Sequence, residues 1–188
     1  MQSLIVFASG AGSNAQAIID YFKKNGKAKV ALIVCNKPNA GVLEIAKREM
    51  IPFLLINRRT LGETMLLEQL KSYQPSLIIL AGFLLKIPAT LVHEFAGRII
   101  NIHPALLPAY GGQGMYGHHV HETVIMAKEQ KSGITIHYVN ELYDEGNTIV
   151  QAHCKVLEND TPDTLAARIH KLEHFYYPRA VEFLLGEG

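Results

Sequence analysis

The chain has 188 residues, of which 48% are hydrophobic and 19% are charged, and its formal net charge is +1. This length and composition predict a single domain over residues 1–188, large enough to bury a hydrophobic core. The balanced charge argues against a nucleic-acid-binding protein, and the sequence has neither a membrane-length apolar run nor a basic region before the apolar residues 4–8.

Strand-like and helix-like segments alternate through the first half of the chain. Continuous apolar runs predict buried parallel strands at residues 3–8, 30–35, 53–56, 77–81 and 98–102. Apolar residues at helical spacing predict helices at residues 15–24, 42–50 and 61–73, and Pro88 is expected to open another short helix. This alternation predicts an α/β fold with a doubly wound, mostly parallel, Rossmann-like sheet.

The pattern changes after Pro108. The sequence then predicts a glycine-rich loop at residues 110–117 and a short helix at residues 118–128. Two antiparallel strands are predicted at residues 133–139 and 148–157, with an acidic loop between them at residues 140–147. A long final helix follows, for which Thr161 is placed as the N-cap and Pro162 as the first helical residue.

A glycine-rich turn at residues 10–14 lies between the first strand and the first helix. Glycines let the backbone approach a ligand, and the helix N-terminus offers free N–H groups, so the turn suits a phosphate. No acidic residue follows the second strand, which argues against a dinucleotide fingerprint, and no Gly-Lys-Ser/Thr follows the turn, which argues against a P-loop. The alternative is a tight structural turn in which Ser13 caps the helix.

Asn101 and His103 end the fifth strand, with Ile102 between them and Pro104 after them. Side chains alternate along a strand, so the amide and the imidazole project from the same face. They stand at the carboxyl end of a strand, where open α/β sheets bind ligands. An amide can donate to a developing oxyanion, and an imidazole can carry a proton near neutral pH. The alternative is a polar pair that only closes the strand.

Two carboxylates have both a functional and a structural interpretation. Asp144, in the acidic loop, would favour a protonated His103 and fix its tautomer if the two side chains met. Otherwise it is a solvated turn residue. Glu173, on the final helix, reads as a solvated helix residue unless other information places it at a site.

Neither the histidines nor the cysteines predict a metal site. His118, His119 and His121 include a pair at helical spacing, but no third ligand is evident, so no metal is expected. Cys35 and Cys154 lie in apolar runs without a CxxC motif, which predicts free thiols buried in the core. Free thiols are typical of proteins in a reducing compartment. We therefore expect a cytoplasmic protein, monomeric or homodimeric, without nucleic-acid or membrane partners.

Several of these segments, taken together, resemble the folate-dependent formyltransferase family along essentially the whole chain. The matching segments are GAGSNAQAI, LAGF, NIHPALLP and GITIHYVNELYDEG, at residues 10–18, 80–83, 101–108 and 133–146. Glu173-His174 and Tyr177-Pro178 also match. The NIHP-x-LLP segment and the Asp-x-Gly loop mark the wider family, whereas the Gly-x-Gly-Ser-Asn turn and Glu173 mark its glycinamide ribonucleotide branch.

The resemblance implies a reaction that these residues can carry out. The amino group of glycinamide ribonucleotide would attack the formyl carbon of the co-substrate 10-formyltetrahydrofolate, and a tetrahedral intermediate would release tetrahydrofolate without a metal or an acyl-enzyme. Asn101 would donate to the oxyanion, and His103 would be the general acid and a second oxyanion partner. Asp144 would raise the pKa of His103 and help relay the proton.

The resemblance also implies where each substrate binds: the N-terminal half would hold the nucleotide phosphate, and the C-terminal half would be folate-binding and catalytic. The ribonucleotide would contact Gly12, Ser13, Asn14, His170, Lys171, Leu172 and Glu173. The folate would contact Arg59, Leu84, Leu85, Lys86, Ile87, Asn101, Asn140, Glu141, Leu142, Tyr143 and Asp144. Arg58, beside Arg59, is the alternative basic contact.

The chain departs from the family pattern at four places. Residues 84–87 replace Met-Arg-Ile-Leu, Ala105 replaces a common serine, residues 111–118 form a longer and more glycine-rich segment, and no proline follows Gly146. Alternatives on the same scaffold are a formyltetrahydrofolate deformylase, a methionyl-tRNA formyltransferase and a sugar-amine formyltransferase. The first two normally carry a further domain, for which 188 residues leave no room. A phosphate-binding module without catalysis and an NAD-dependent oxidoreductase are the remaining alternatives.

Overall fold

A computed structural model describes residues 1–186. Its elements are β1 (Gln2–Ala8), α1 (Ser13–Asn25), β2 (Ala28–Cys35), α2 (Gly41–Arg48), β3 (Phe53–Leu55), a 3₁₀ turn (Thr60–Gly62), α3 (Thr64–Ser72), β4 (Leu77–Leu80), α4 (Ala89–Glu94), β5 (Ile99–His103), α5 (His118–Met126), β6 (Lys131–Tyr138), β7 (Thr148–Lys155) and α6 (Pro162–Gly186). Along residues 1–186, no helix has the combination of length and apolar character that a membrane crossing requires.

The strands form one seven-stranded sheet in the order β3-β2-β1-β4-β5-β6-β7. The first five strands pair in parallel, and β6 and β7 join them antiparallel. The predicted α/β class, the antiparallel C-terminal strands and the long final helix are all confirmed. Because β1 lies in the interior of the sheet, the turn that follows it has the ends of β2 and β4 on either side.

Both faces of the sheet are covered, which explains the continuous apolar runs of the parallel strands. Along β1, Leu4 and Val6 pack with α1, α2, α5 and α6, while Ile5 and Phe7 pack with α3 and α4. Alternate residues of the same strand thus enter two separate cores. A strand that is solvated on one face would instead show a polar residue at every second position.

Three predicted helix boundaries are informative. Thr161 is the N-cap of α6, because the Thr164 N–H lies 3.2 Å from its Oγ1. The single helix predicted over residues 61–73 is wrong: extended backbone at Glu63 (φ −78°, ψ 143°) separates a 3₁₀ turn from α3. The capping role considered for Ser13 is also wrong, since Ser13 is already helical and Gly12 is the N-cap, at φ 84°.

Tyr177 of α6 joins that helix to two neighbouring strands of the sheet through its hydroxyl group. The ring is fully buried, and its hydroxyl lies 2.8 Å from the Leu80 carbonyl of β4 and 3.3 Å from the Ile100 carbonyl of β5. We expect Tyr177→Phe to lower the free energy of unfolding by about 1–2 kcal/mol, because two buried carbonyls lose their shared donor. Urea unfolding measures this loss.

The matched control for that substitution is Tyr176→Phe. Tyr176 is only partly buried and lies at the rim of the same core. Its hydroxyl loss is expected to change the free energy of unfolding by less than about 0.5 kcal/mol. Equal losses in the two variants would contradict the role given to the Tyr177 hydroxyl.

Candidate active site

A cavity of about 790 Å³ opens at the carboxyl ends of the parallel strands. Its walls come from the turns after β1 and β4, from the end of β5, from residues 112–118, 139–140 and 142–144, and from one face of α6. Ligands of open α/β sheets bind at this edge, so the fold places the cavity where the sequence predicts a site. Polar side chains from several distant segments meet inside it.

Asn101, His103 and Asp144 are brought together at one point of this cavity. Asp144 Oδ2 lies 3.5 Å from His103 Nδ1, and Asp144 Oδ1 lies 3.5 Å from Asn101 Nδ2. The alternation of β5 directs Asn101 and His103 to the same side, and the loop after β6 folds over them. Asp144 is only 12% exposed, so the alternative of a solvated turn acid does not hold.

The neighbours of His103 decide its tautomer. The Tyr110 carbonyl oxygen lies 2.7 Å from Nε2, and a carbonyl only accepts, so Nε2 carries the hydrogen and Nδ1 faces Asp144. Burial lowers the pKa of His103 and outweighs Asp144 and Tyr110, which both raise it. As the resemblance implies, the charge of Asp144 raises the pKa of His103, but burial has the larger effect and the pKa lies below its usual value.

Asp144 is held ionised by its surroundings. Burial alone would raise the pKa of its carboxyl, but its neighbours, among them the Gly112 N–H and His103 when that ring is protonated, hold the pKa below its usual value. The Gly112 nitrogen lies 2.9 Å from Oδ2. The Asp144 backbone is left-handed, at φ 56°, a conformation that aspartate and asparagine tolerate better than most residues. At neutral pH the site therefore pairs a carboxylate with a neutral imidazole.

His137 of β6 is the site residue that the sequence analysis missed. The strand register places it directly opposite Asn101. Its Nδ1 lies 2.8 Å from the Tyr138 carbonyl, so Nδ1 donates and Nε2 is left to accept from Asn101 Nδ2 at 3.2 Å. His137 therefore orients the Asn101 amide. The second Nδ2 hydrogen has only the long contact with Asp144 and remains available for a substrate oxygen.

Gly146 allows the acidic loop of residues 140–147 to pack closely against β6. A Cβ at this position would overlap the Tyr138 carbonyl oxygen and would lie 3.5 Å from His137 Nδ1. Any side chain would therefore push the loop away from the strand and carry Asp144 with it. This close approach is the physical reason for the Asp-x-Gly spacing noted in the sequence.

The glycine-rich turn lies at the other end of the cavity, beside α6. Gly12, Ser13 and Asn14 line the wall, and Asn14 Nδ2 donates to Glu173 Oε2 at 2.9 Å. Burial raises the pKa of Glu173, against the hydrogen bond from Asn14 and the charge of His170, which lower it. Glu173 is 6% exposed, so the solvated-helix alternative is wrong. The free N–H groups of α1 and this carboxyl group together face the cavity.

Most of the predicted site residues line the cavity, and a few do not. The cavity is lined by fifteen of the predicted site residues: Gly12, Ser13, Asn14, Leu84, Leu85, Lys86, Ile87, Asn101, His103, Asn140, Leu142, Tyr143, Asp144, His170 and Glu173. The remaining four, Arg59, Glu141, Lys171 and Leu172, do not line it. Among the basic candidates, Arg58 lines the cavity, whereas Arg59 is turned toward Glu63, 3.4 Å away.

Local geometry explains why Glu141, Lys171 and Leu172 do not line the cavity. Glu141 pairs with His93 of α4, with Oε1 2.7 Å from Nε2. Lys171 and Leu172 point to other sides of α6, because successive residues of a helix turn by about 100°, whereas His170 and Glu173 share the cavity face with Ala166. Within residues 1–186, no group of three or more His, Cys, Asp or Glu side chains could hold a metal ion.

Comparison with known proteins agrees with this arrangement. Residues 2–181 match the Formyl transferase family. The phosphoribosylglycinamide formyltransferase of Bacillus subtilis is 42% identical over 99% of this chain and 96% of the relative. A chloroplastic enzyme of the same name from Arabidopsis thaliana is 41% identical over 96% of this chain, which spans 64% of that longer relative.

A solved structure supports the same assignment. The crystal structure of phosphoribosylglycinamide formyltransferase from Bacillus halodurans superposes with a TM-score of 0.88 at 38% identity, over 98% of this chain and 95% of that one. The family match, the relatives and the fold agree from end to end. The chain belongs to the formyl transferase family.

Proposed function

We propose that the protein transfers the formyl group of 10-formyltetrahydrofolate to the amino group of N1-(5-phospho-D-ribosyl)glycinamide, a step of purine synthesis. The observation that carries the proposal is the convergence of Asn101, His103 and Asp144 in one cavity with the Gly12 turn and Glu173. An amide donor, a proton carrier and a carboxylate meet at one end, and a phosphate-suited turn lies at the other. This is what formyl transfer to a phosphorylated amine requires.

The two substrates would approach the reacting groups from different parts of the cavity. The free N–H groups at the start of α1 would hold the phosphate, with Glu173 and His170 beside the ribose and the glycinamide. The folate would lie against residues 84–87 and beneath the loop of residues 140–144. On this proposal α6, in the C-terminal half of the chain, would serve the ribonucleotide end, and residues 84–87, in the N-terminal half, would serve the folate end.

His103 would move one proton through the reaction. The neutral ring accepts a proton as the attacking amine becomes an ammonium, and Asp144 stabilises the imidazolium. Asn101 donates an N–H to the oxyanion of the tetrahedral intermediate. The imidazolium then gives the proton to the departing folate nitrogen. A lowered pKa suits this second step, because it makes the protonated ring a better acid.

The direct test is an assay with 10-formyltetrahydrofolate and a panel of amines. Glycinamide ribonucleotide is the expected acceptor, whereas an amino sugar nucleotide is expected to give no product. Release of formate without any amine would support the deformylase alternative, in which water attacks the formyl carbon. Absence of formyl transfer to every amine would leave a binding module and overturn the proposal.

The cellular setting belongs to the proposal as well. We expect small-molecule substrates and no nucleic-acid or membrane partner, which is consistent with a net charge of +1. The free cysteines, Cys35 and Cys154, suit the reducing cytoplasm. We expect the protein to act there as a monomer or a homodimer, which sedimentation analysis of the purified protein distinguishes.

A further inference from the structure

Ser9 is a buried polar residue that the proposed reaction does not use. It is the first residue after β1, is 3% exposed, and lines the cavity between the two proposed substrate-binding regions. Because β1 lies between β2 and β4, the residues that follow those two strands are within its reach. Ser9 also precedes the glycine-rich turn directly.

The contacts of Ser9 join three segments. Its hydroxyl donates to Asn36 Oδ1, just after β2, in a short hydrogen bond. The Leu84 N–H donates to Ser9 Oγ at 2.9 Å, and the Ser9 N–H donates to the Gly82 carbonyl at 3.1 Å. Since Asn36 takes the hydroxyl hydrogen, the lone pairs of Oγ are left for Leu84. Asn36 thus fixes the orientation in which Ser9 can hold the segment after β4.

The segment that Ser9 holds has little other polar support. Residues 82–87 lie between β4 and α4, outside regular structure. Among the described residues, the only side chain that accepts an N–H from this segment is that of Ser9. Packing of Phe83 on Phe7, with ring centroids 5.2 Å apart, is the apolar counterpart. Leu85 and Ile87 pack into the same apolar core, so the Leu84 N–H to Ser9 Oγ contact is the polar anchor of a segment that is otherwise held by apolar packing.

We infer that Ser9 is a positioning residue for the folate co-substrate, with Asn36 as the acceptor that orients its hydroxyl. This inference rests on the proposed function, in which the backbone of residues 84–87 lines the folate end. The side chains of residues 84–87 differ from the Met-Arg-Ile-Leu of the family pattern. The backbone is therefore the part of this segment that can keep the same geometry as in the family. A hydroxyl group that anchors this backbone would act on folate binding more than on the chemical step.

The test is the split between KM and kcat in Ser9→Ala. We expect the KM for 10-formyltetrahydrofolate to rise about tenfold, because the Leu84 N–H loses its partner and the segment shifts. The KM for the ribonucleotide and the kcat at saturating folate are expected to stay within about threefold, since bound folate restores the segment. Removing the acceptor with Asn36→Ala should give a smaller rise in the same KM, and Asn36→Asp, which keeps an acceptor, should restore it.

Ser3→Ala supplies the matched control. Ser3 is on the same strand, and its buried hydroxyl has no hydrogen-bond partner among the described residues, so its loss should leave both KM values unchanged. An unchanged folate KM in Ser9→Ala, or an equal rise in the KM values of both substrates, would overturn the inference. So would failure of Asn36→Asp to restore what Asn36→Ala loses.

A binding measurement separates this inference from the proposed function. Calorimetry gives the Kd of tetrahydrofolate for the intact protein and for Ser9→Ala without requiring turnover. If the intact protein binds tetrahydrofolate but formylates no amine, the proposed acceptor is wrong while a tenfold weaker Kd in the variant still supports Ser9. If the two proteins bind tetrahydrofolate equally, the role of Ser9 is overturned even when the intact protein is active.

Discussion

Replacing His103 with alanine is expected to lower kcat for formyl transfer by about 10²–10⁴-fold, the range that loss of a general acid–base group produces. The effect should fall on kcat more than on either KM, because His103 carries the proton in the chemical step, where its ring is held by Tyr110 and Asp144. Stopped-flow or steady-state kinetics at saturating concentrations of both substrates measure it. Circular dichroism should show an unchanged fold.

His153→Ala is the control for the loss of an imidazole. His153 is exposed on β7, next to the strand that carries His137, and lies outside the cavity. Its loss should leave kcat within about twofold of the intact protein, because surface substitutions away from special features change little. A kcat near that of the intact protein in His103→Ala would rule out the proton-transfer role.

The local pattern around β5 predicted Asn101 and His103 as site residues, whereas most other predicted contacts came from the resemblance to the formyltransferase family. Asn101 and His103 could be placed on one face because strand side chains alternate, and the parallel sheet could be predicted from its doubly buried strands. Asp144 could not be derived in this way. It is 43 residues from Asn101 along the chain, and only the seating of the loop on β6, through Gly146, brings it to the other two.

His137 shows a second limit of the local pattern. Its role comes from the register of an antiparallel pair, in which Asn101 lies opposite His137 and His103 opposite Thr135. A shift of one residue would turn His137 to the other face of the sheet. No feature of the segment 133–139 fixes that register by itself. The signal that could have found it is the requirement for an acceptor to orient the Asn101 amide.

Arg58 and Arg59 illustrate a choice that depends on side-chain direction. The two residues precede the 3₁₀ turn, and the sequence offers no periodic pattern there. Glu63 is four residues after Arg59, and its Oε1 lies 3.4 Å from Arg59 Nε. Arg59 points outward in this arrangement, and Arg58 lies on the cavity wall. The same unrecognised turn is the reason that the helix predicted from residue 61 begins only at Thr64.

Asp144 supplies the negative charge that faces His103 in the cavity. Asp144→Asn is expected to lower kcat by about 10²–10³-fold, because the imidazolium formed during proton transfer loses its counter-charge. Asparagine is the matched replacement, since the Asp144 backbone is left-handed at φ 56° and asparagine tolerates that conformation. Alanine would add backbone strain to the loss of charge. Glu145→Gln, on the exposed neighbour, is the control and should leave kcat unchanged.

The pH profile then distinguishes an electrostatic role of Asp144 from a merely structural one. The charge of Asp144 raises the pKa of His103, against the larger effect of burial, which lowers it from 6.5. Removing that charge should lower the pKa of His103 further. Because the neutral ring accepts the proton from the amine, activity is lost as pH falls through this pKa. The acid limb of kcat/KM should therefore move to lower pH in Asp144→Asn, whereas a shift to higher pH, or a limb that stays in place, would contradict the pairing.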